Sequence, residues 1–301
     1  MSPHGRPKGE FPLGGLARSA KGAPVTVADD LLAQLQRQLG RDVPRVRALH
    51  LPPQPWNGSR DGEFCTLELD SGALGLSYVL LGDTLARLAG LAGSGAASGL
   101  AGTDALALAR RWRDGHGAER ALGFAAVNAL SRHLLDRAGL VPPDAIDSIG
   151  GLDPQPGEHI GMIGFFPPLV KPVTACGARL TVLELRADLA GQHPGFTVTL
   201  DPAALQACDK VLSTSTVLLN DTLDAMLAHC RNARAVAMIG PGAGCLPDAL
   251  FARGVTALGG SWVEDSAGFV AALRAGRPWG GCARKSSWSA RSYPGLPPPV
   301  R

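Results

Sequence analysis

Short apolar runs, each closed by glycine, proline, serine or an acidic residue, recur through the second half of the chain. They predict five strands, at residues 160–166, 180–185, 210–213, 234–240 and 255–258. Such runs are typical of strands buried on both faces of a parallel sheet. Helical patterns separate the later runs, at residues 202–208, 218–230 and 247–253, and another follows at 266–275. This alternation predicts a doubly wound, mainly parallel α/β sheet over residues 159–276.

The first half of the chain has a different pattern, in which strands come early and helices follow. Residues 28–39 predict an amphipathic helix, because their four leucines share one face. A candidate strand at 45–51 precedes a β-hairpin predicted at 64–69 and 73–80 around a central Asp-Ser-Gly turn. Further helices are predicted at residues 83–91, 104–113 and 119–138, the last with small residues that permit close packing. We therefore expect a smaller α+β domain over residues 24–141.

The remaining segments have the composition of tails and loops. Residues 1–23 are rich in glycine, proline and basic residues, and we expect a disordered basic tail there. The turn-rich residues 142–158 predict a linker between the two domains. Residues 90–102 consist almost entirely of glycine, alanine, serine and leucine, which favours a flexible surface loop. Residues 277–301 show no periodicity and are interpreted as a basic C-terminal tail.

Composition narrows the class of protein. A chain of 301 residues with 45% hydrophobic and 18% charged residues is ordinary for about two soluble domains. It contains no apolar run of the length that spans a membrane, and its N-terminus lacks the apolar core of a secretory signal. We therefore expect a cytoplasmic protein. The net charge is +3, and the body has no basic stripe with interleaved aromatics, so no nucleic-acid partner is expected.

Cysteine and histidine residues offer little support for a tight metal site. The six cysteines are widely spread and form no C-x-x-C pair, which argues against a zinc ribbon, an iron–sulfur site and a disulfide scaffold. Reduced and mostly buried thiols are the ordinary expectation. No cysteine and histidine spacing resembles a closed tetrahedral site, although a metal site assembled across the domain cleft stays open. The candidate ligands for such a site are Cys245 and His159.

The ends of the first two strands carry the first candidate site residues. Gly161 and Gly164, followed by Phe165, permit close approach of the backbone to a ligand, although a plain tight turn explains them equally well. Two prolines follow and the G-x-G-x-x-G fingerprint is missing, so nicotinamide dinucleotide binding is not predicted. Glu184 closes the second strand some 20 residues later, where nucleoside ligands find a partner for the ribose.

The third strand runs into a cluster of hydroxyl side chains. Ser215 and Thr216 lie at a strand-to-helix turn, where free backbone N–H groups favour anions. Capping of the following helix is the alternative, and it accounts for one hydroxyl of the cluster. Asn220 follows within an apolar segment, where an amide needs a bonding partner.

The fourth strand ends in a glycine-rich loop. Gly240, Pro241 and Gly242 form a loop that can wrap closely around a small ligand. Cys245 stands before a predicted helix, so its thiol is either acidified by the helix N-terminus or buried as a structural residue. Neither a G-x-S-x-G elbow nor a Walker A loop occurs, and no catalytic constellation is recognisable.

These segments resemble a known pair of domains. Residues 160–170, 182–185, 210–227 and 237–265 resemble DUF364, a Rossmann-like domain whose family is labelled for heavy-metal chelation. Residues 75–80 and 119–130 resemble DUF4213, its usual N-terminal companion with an enolase N-terminal-like α+β fold. The resemblance implies a site between the domains, with Glu184, Asn220 and the 240–244 loop facing Glu119 and Asn128.

Three hypotheses follow. In the first, a cytoplasmic protein binds a metal ion, a metal chelate or a related small ligand in the interdomain cleft, with a transition metal as the implied cofactor. In the second, it is an enzyme that uses S-adenosylmethionine or another nucleotide cofactor. In the third, it is a scaffold with an inert cleft. The expected partner is a small molecule or metal and neither a nucleic acid nor a membrane, and a homodimer is left open.

Overall fold

The computed structural model of the chain describes residues 25–54, 58, 63–93 and 97–299. The disordered tail expected at residues 1–23 lies outside the described residues. Two sheets organise the rest, one of three strands and one of eight. Within the described part of the chain, every helix is too short or too polar to span a bilayer.

The first half opens with an amphipathic helix and a meander of strands. Helix α1 (Val27–Leu39) buries its apolar face and begins at a capping box formed by Thr26 and Asp29. Strands β1 (Val46–His50), β2 (Phe64–Leu69) and β3 (Leu74–Tyr78) then pair antiparallel in chain order. The predicted hairpin is confirmed, with Phe64 opposite Tyr78.

Five helices complete the described part of this half. They are α2 (Thr84–Gly93), α3 (Ala97–Leu100), α4 (Ala105–Ala109), α5 (Arg111–Asp114) and α6 (Ala118–Arg137). The flexible loop predicted at 90–102 is wrong where the chain is described, because α2 ends and α3 lies there. Alanine and leucine are the strongest helix formers, and they outweigh the glycines in this stretch. Residues 94–96 are outside the described range.

Helix α6 packs closely against both β3 and α5, and these contacts hold the first half together. A Cβ atom at Gly75 of β3 would overlap the α6 backbone at Ala125 and Ala129. A Cβ atom at Gly123 of α6 would overlap the backbone of Trp112 in α5. Glycine is therefore required at both positions, in agreement with the close approach expected from the small residues of this helix.

The second half is built on a large, mostly parallel sheet. Its strands are β4 (His159–Ile163), β5 (Arg179–Leu183), β6 (Gly191–His193), β7 (Phe196–Thr199), β8 (Lys210–Thr214), β9 (Ala235–Ile239), β10 (Ala257–Val263) and β11 (Ala283–Ser289). The order across the sheet is β11-β10-β9-β8-β4-β5-β7-β6. The six central strands are parallel, and β6 and β11 are antiparallel edges.

The order of the parallel strands creates a switch point. Strands β4, β5 and β7 proceed toward one edge of the sheet, and β8, β9 and β10 proceed toward the other. Numbered along the chain, the six parallel strands are therefore arranged 3-2-1-4-5-6, and the direction reverses between β4 and β8. Crevices at such a reversal are the usual ligand sites of open α/β sheets. The predicted fold class, a mainly parallel α/β sheet preceded by a smaller α+β unit, is confirmed.

The helices that connect the strands of the large sheet are short. Its helices are α7 (Pro167–Thr174), α8 (Leu223–His229), α9 (Asp248–Phe251) and α10 (Ser266–Arg274). Turns of 3₁₀ helix lie at Ala187–Leu189, Pro202–Ala207 and Ser215–Leu219. The helix predicted at 218–230 is thus a 3₁₀ turn followed by α8. Residues 202–208, also predicted helical, form 3₁₀ structure.

The C-terminal residues differ from their expectation. The basic tail predicted at residues 277–301 is wrong over residues 283–289, which form β11 and pair with the whole of β10. Ser286 and Trp288 are buried on one face, while Lys285 is exposed and Ser287 partly exposed on the other. An edge strand needs only one buried face, so its sequence lacks the continuous apolar run of a central strand. The linker at 142–158 reaches this edge through a bridge between Asp144 and Ser286.

The two halves share one hydrophobic core. A single cluster of buried residues includes Leu67 and Phe124 from the first half and Leu218 and Leu250 from the second. Polar contacts join the halves as well. The indole Nε1 of Trp112 donates to the carbonyl of Leu218 at 2.5 Å, and the α1 residue Val27 donates its N–H to Asp224 at 3.0 Å.

Candidate functional site

A cleft of about 770 Å³ lies between the two halves at the switch point of the large sheet. Gly164, Glu184 and Thr216 line it from the carboxyl ends of β4, β5 and β8, and Tyr78 and Arg120 line it from the first half. Its volume falls within the range of small-molecule sites, which is roughly 300–1,000 Å³. The cleft therefore has both the place and the size of a ligand site.

The turn after β4 is held by a carboxylate from the next strand. Oε2 of Glu184 accepts the backbone N–H of Phe165 at 3.0 Å, and its Oε1 accepts the N–H of Leu185 at 2.7 Å. Gly164 has φ +81°, a conformation that favours glycine, and a Cβ there would press on Thr214. Oε1 also accepts the N–H of Arg186 at 3.4 Å. Glu184 thus sets the shape of the turn, and its Oε2 keeps acceptor capacity for a ligand.

The hydroxyl cluster after β8 is partly used by its own backbone. Thr214 caps the following 3₁₀ turn, with its Oγ1 accepting the N–H of Thr216 at 3.2 Å. The side chain of Ser215 packs against Gly240, where a Cβ would overlap its hydroxyl oxygen. Oδ1 of Asn220 accepts both the N–H and the hydroxyl of Thr222 at 3.0 and 2.5 Å. Capping thus accounts for Thr214, while Ser215 and Thr216 line the cleft.

The cleft brings together most of the residues singled out from sequence. Those that line it are Gly164, Phe165, Glu184, Ser215, Thr216, Asn220, Gly240 and Pro241. They come from four different strand ends, which meet because the carboxyl ends of parallel strands share one edge of a sheet.

Gly161 and Glu119 lie elsewhere. Gly161 is inside β4, where a Cβ would press on Leu205 and Cys208. The side chain of Glu119 is 63% exposed and pairs with Arg111 at 3.9 Å. Neither of these two predicted residues is therefore in contact with the cleft as the structure stands.

Asn128 and Gly242 lie behind the cleft and join its two walls. Nδ2 of Asn128 donates to the carbonyl of Leu76 in β3 at 2.6 Å and to the carbonyl of Gly242 at 2.8 Å. Asn128 is 2% exposed, so both hydrogen bonds are buried. These residues hold the 240–244 loop against the first half and position the cleft from outside it.

The two candidate metal ligands are far apart in the fold. Cys245 follows β9, is 3% exposed, and burial raises the pKa of its thiol to about 12. The alternative of an acidified thiol is therefore wrong, since α9 begins only at Asp248 and has four residues. His159 opens β4 at the opposite, amino end of the sheet. Among the described residues, no group of three or more His, Cys, Asp or Glu side chains is placed to hold a metal ion.

The residues of the first half that line the cleft were not among the candidates identified from the sequence. Arg120 is 7% exposed; its Nε donates to the carbonyl of Gly115 at 3.0 Å and its guanidinium pairs with Asp221 at 2.6 Å. Burial, followed by the nearby charge of Glu63, raises the pKa of Tyr78 to about 12. An arginine at a buried position of α6 was the signal available in the sequence.

Thr84 is a further cleft residue without a sequence signal. It is 1% exposed and lines the cleft at the start of α2. Its hydroxyl oxygen is buried and makes no hydrogen bond within the described part of the chain. Most buried polar groups in proteins are hydrogen-bonded, so an orphan hydroxyl at a cleft wall is unusual.

The fold and the cleft define an α/β protein with a ligand-sized crevice between a parallel sheet and an α+β unit. Residues 147–290 match the family model DUF364 and residues 63–131 match DUF4213, both described as "Putative heavy-metal chelation". The second half of the chain thus matches the DUF364 family and part of the first half matches DUF4213, which confirms the resemblance seen in the sequence.

Two solved structures of the DUF364 family share this fold. The protein of unknown function from Desulfitobacterium hafniense DCB-2 has a TM-score of 0.63 and 20% identity, covering 87% of this chain and 98% of that one. The protein from Pyrococcus horikoshii has a TM-score of 0.63 and 19% identity, covering 88% of this chain and 100% of that one. At such identities the likeness establishes the fold alone.

A sequence relative covers a shorter stretch. The uncharacterized protein MJ0500 of Methanocaldococcus jannaschii is 26% identical over 147 residues, which are 49% of this chain. The match spans about half of that relative, 56% of its length.

Proposed function

We propose that this protein binds a metal chelate, a metal ion already coordinated by a small organic ligand, in the cleft between its two halves. The observation that carries the proposal is the size and lining of the cleft. A volume of about 770 Å³ is far larger than a bare ion needs and suits a ligand of drug-like size. The family description supports the metal, and the cleft dimensions support a chelate as the form in which it arrives.

The lining has the mixture expected for such a ligand. Aromatic rings of Tyr78 and Phe165 supply apolar walls, and the Glu184 carboxylate and the Ser215 and Thr216 side chains supply a few polar contacts. Small-molecule sites are largely apolar, and a small number of placed polar groups orient the ligand. These groups come from strand ends that the fold already holds in place.

The test compares free and chelated metals. The full chain is treated with a chelator, dialysed, and titrated by calorimetry with Ni²⁺, Co²⁺, Cu²⁺ and Zn²⁺, each as the chloride and as its histidine and citrate complexes. We expect at least one complex to bind below about 10 μM, or roughly 7 kcal/mol. We expect that complex to raise the melting temperature more than the free ion, since ligands of the folded state stabilise it.

A pair of bulky substitutions locates the binding. Thr216→Trp fills the cleft and should abolish the heat of binding, whereas Ser148→Trp on the exposed linker should leave it unchanged. Equal binding by both variants would move the ligand out of the cleft. No heat and no thermal shift with any complex would remove the chelate proposal.

A second candidate function is supported by the strand order. We also propose, as the alternative, an enzyme that uses a nucleoside-bearing cofactor such as S-adenosylmethionine. The 3-2-1-4-5-6 arrangement and the position of Glu184 at the end of the second parallel strand are the features that favour it. Thermal stabilisation by S-adenosylmethionine, in a protein that no metal complex stabilises, would favour this alternative over the first.

A further inference from the structure

We infer that the ligand of the cleft is a cation on an organic or chelate scaffold and carries no phosphate. This inference rests on the proposed function in one respect, that the cleft is the ligand site. It adds the charge class of the ligand, which neither the family description nor the size of the cleft supplies. Four features of the lining carry it.

The first feature is the turn where sheets of this strand order usually bind phosphate. The N-terminus of the helix after the first strand normally offers free N–H groups to the anion. Here that helix, α7, begins with Pro167 and Pro168, which have no N–H to donate. The N–H of Phe165, two residues before Pro167, is already donated to the Glu184 carboxylate at 3.0 Å. A negative side chain thus takes a backbone donor of this turn that a phosphate would need.

The second feature is the charge of the walls. Among the described lining residues, the carboxylates are Glu63, Asp83, Glu184 and Asp221, and the guanidinium is Arg120. Arg120 is paired with Asp221 at 2.6 Å, so its charge is already compensated. Asp83 pairs with Arg87 at 2.6 Å, and both side chains are more than 60% exposed, so Asp83 adds little to the field inside the cleft. The Glu184 carboxylate accepts backbone N–H groups, and low-dielectric walls focus the field of its charge on the interior of the cleft.

The third feature is the aromatic lining beside these carboxylates. Phe64, Tyr78, Phe165 and Phe166 all line the cleft. The rings of Phe64 and Tyr78 pack edge to face at 5.6 Å, and Phe165 stacks on Phe196 at 5.5 Å, so their orientations are fixed. Aromatic faces attract cations through the ring quadrupole, most strongly where water is excluded. Carboxylates together with aromatic rings are the chemistry that recognises organic cations.

The fourth feature is independent of charge and concerns a buried hydroxyl of the cleft wall that makes no hydrogen bond within the described residues. Thr84 is 1% exposed, and its hydroxyl oxygen has no hydrogen bond within the described residues. A hydroxyl can both donate and accept, so a bound ligand with either kind of group would satisfy it. The orphan hydroxyl and the acidic, aromatic walls belong to the same cleft.

Exchange-inert cobalt(III) complexes test the charge class with metal and shape held constant. The full chain is titrated by calorimetry with tris(ethylenediamine)cobalt(III), which is a trication, with neutral tris(glycinato)cobalt(III), and with the tris(oxalato)cobaltate(III) trianion. We expect the cation to bind at least tenfold more tightly than the neutral complex and the anion not to bind. Raising the salt from 50 to 300 mM should weaken binding of the cation, since salt screens the attraction.

Variants that remove one negative charge test whether the preference for a cationic complex arises in the cleft. Glu184→Gln should weaken binding of the cation by fivefold or more, and Asp83→Asn, at an exposed lining residue paired with Arg87, by a smaller factor of two to five. Asp42→Asn, at a residue exposed on the first half, removes the same charge outside the lining and should change the affinity by less than twofold. Asp83 has no part in the β4 turn, so it reports on charge even if Glu184→Gln does not fold.

The outcomes separate this inference from the proposed function. Equal or tighter binding of the neutral or anionic complex would overturn the cationic class and leave the chelate proposal standing. Binding of none of the three, together with no heat for any histidine or citrate complex in the earlier titrations, would overturn the chelate proposal. In that case S-adenosylmethionine, a sulfonium cation, is compared with its neutral thioether S-adenosylhomocysteine. A tenfold preference for the sulfonium keeps the cationic class, and equal binding or no binding of the pair overturns it.

Discussion

The two ends of the large sheet carry the same kinds of polar residue and use them in opposite ways. At the amino ends of the strands, the side chains satisfy one another. The ammonium of Lys210 pairs with Glu158 at 3.0 Å, and Glu158 also pairs with Arg234. The ring of His159 bonds the hydroxyl of Thr181 at 2.8 Å and the carbonyl of residue 207 at 3.1 Å.

The carboxyl ends leave part of their capacity unused. The Glu184 carboxylate is bonded to backbone N–H groups and keeps acceptor sites, and the hydroxyl of Thr84 has no partner within the described residues. An acid, a hydroxyl and a basic side chain are therefore present at both ends. Among the described residues, buried hydroxyls without a hydrogen bond also occur away from the cleft, at Thr66 and Ser77, so the candidate site is marked by such a group beside an open volume.

The largest effect is expected from breaking the amino-end network. Lys210→Met should lower the free energy of unfolding by about 2 kcal/mol, because the nearly buried Glu158 carboxylate loses its buried partner and keeps only the more exposed Arg234. Urea denaturation measures the change. Arg234→Met removes another partner of the same carboxylate, but Arg234 is 53% exposed, so a loss below about 1 kcal/mol is expected. Altered ligand binding in Lys210→Met would contradict the division between the two ends.

A smaller loss of stability with a larger effect on binding is expected at the other end. Glu184→Gln should lower the free energy of unfolding by about 1.5 kcal/mol, since an amide offers one acceptor oxygen where the carboxylate offers two. It should also reduce the ligand-induced rise in melting temperature. Asp209→Asn is the matched control, because Asp209 accepts the N–H of His159 at 2.7 Å at the amino end. The control should lose stability and keep the ligand-induced shift.

Two threonine substitutions should change stability in opposite directions. Thr84→Val removes a buried hydroxyl without a partner and should raise the free energy of unfolding by about 1 kcal/mol. Thr181→Val removes a hydroxyl that is bonded to His159 and should lower it by about 1 kcal/mol. Chemical denaturation of both variants gives the comparison. Destabilisation of the same size in both would show that the Thr84 hydroxyl is satisfied after all.

The smallest effect concerns pH. Burial, followed by the charge of Arg179, lowers the pKa of His159 below its ordinary value of 6.5. The folded state therefore favours the neutral ring, so this contribution to stability is present above pH 6.5 and is lost as the pH falls through the lowered pKa. The pKa of His133 is lowered as well, mainly by burial. The free energy of unfolding between pH 8 and 5 should fall less steeply in His159→Gln, and identical slopes would contradict the assignment.

Some of the candidate site could be predicted because it depends on local pattern and on one rule of topology. Gly164, Glu184 and Thr216 follow apolar runs that are recognisable as buried strands. Carboxyl ends of parallel strands meet at one edge, so residues far apart in sequence could be expected together without coordinates. The family resemblance pointed to the same edge through overlapping segments.

Other parts of the site could not be predicted, since they depend on contacts between distant segments. Glu119 and Arg120 are neighbours on α6, yet the first is exposed and the second lines the cleft. The burial of Cys245, which raises the pKa of its thiol, also comes from packing of the two halves. The strand at 283–289 is recognisable only with β10 beside it, because one face of an edge strand stays polar.

The sequence by itself determined five of the six parallel strands that the structure describes in the second half (β7 was not predicted), the hairpin and long helix of the first, and the residues at the strand ends. These follow from periodicity and turn residues, which are properties of neighbouring positions. Only the tertiary structure decided which polar groups are satisfied and which remain available, as Thr181 and Thr84 illustrate. The reason is physical: a hydrogen-bond partner or a buried surface is supplied by whichever segment the fold brings near, and periodicity carries no record of that segment.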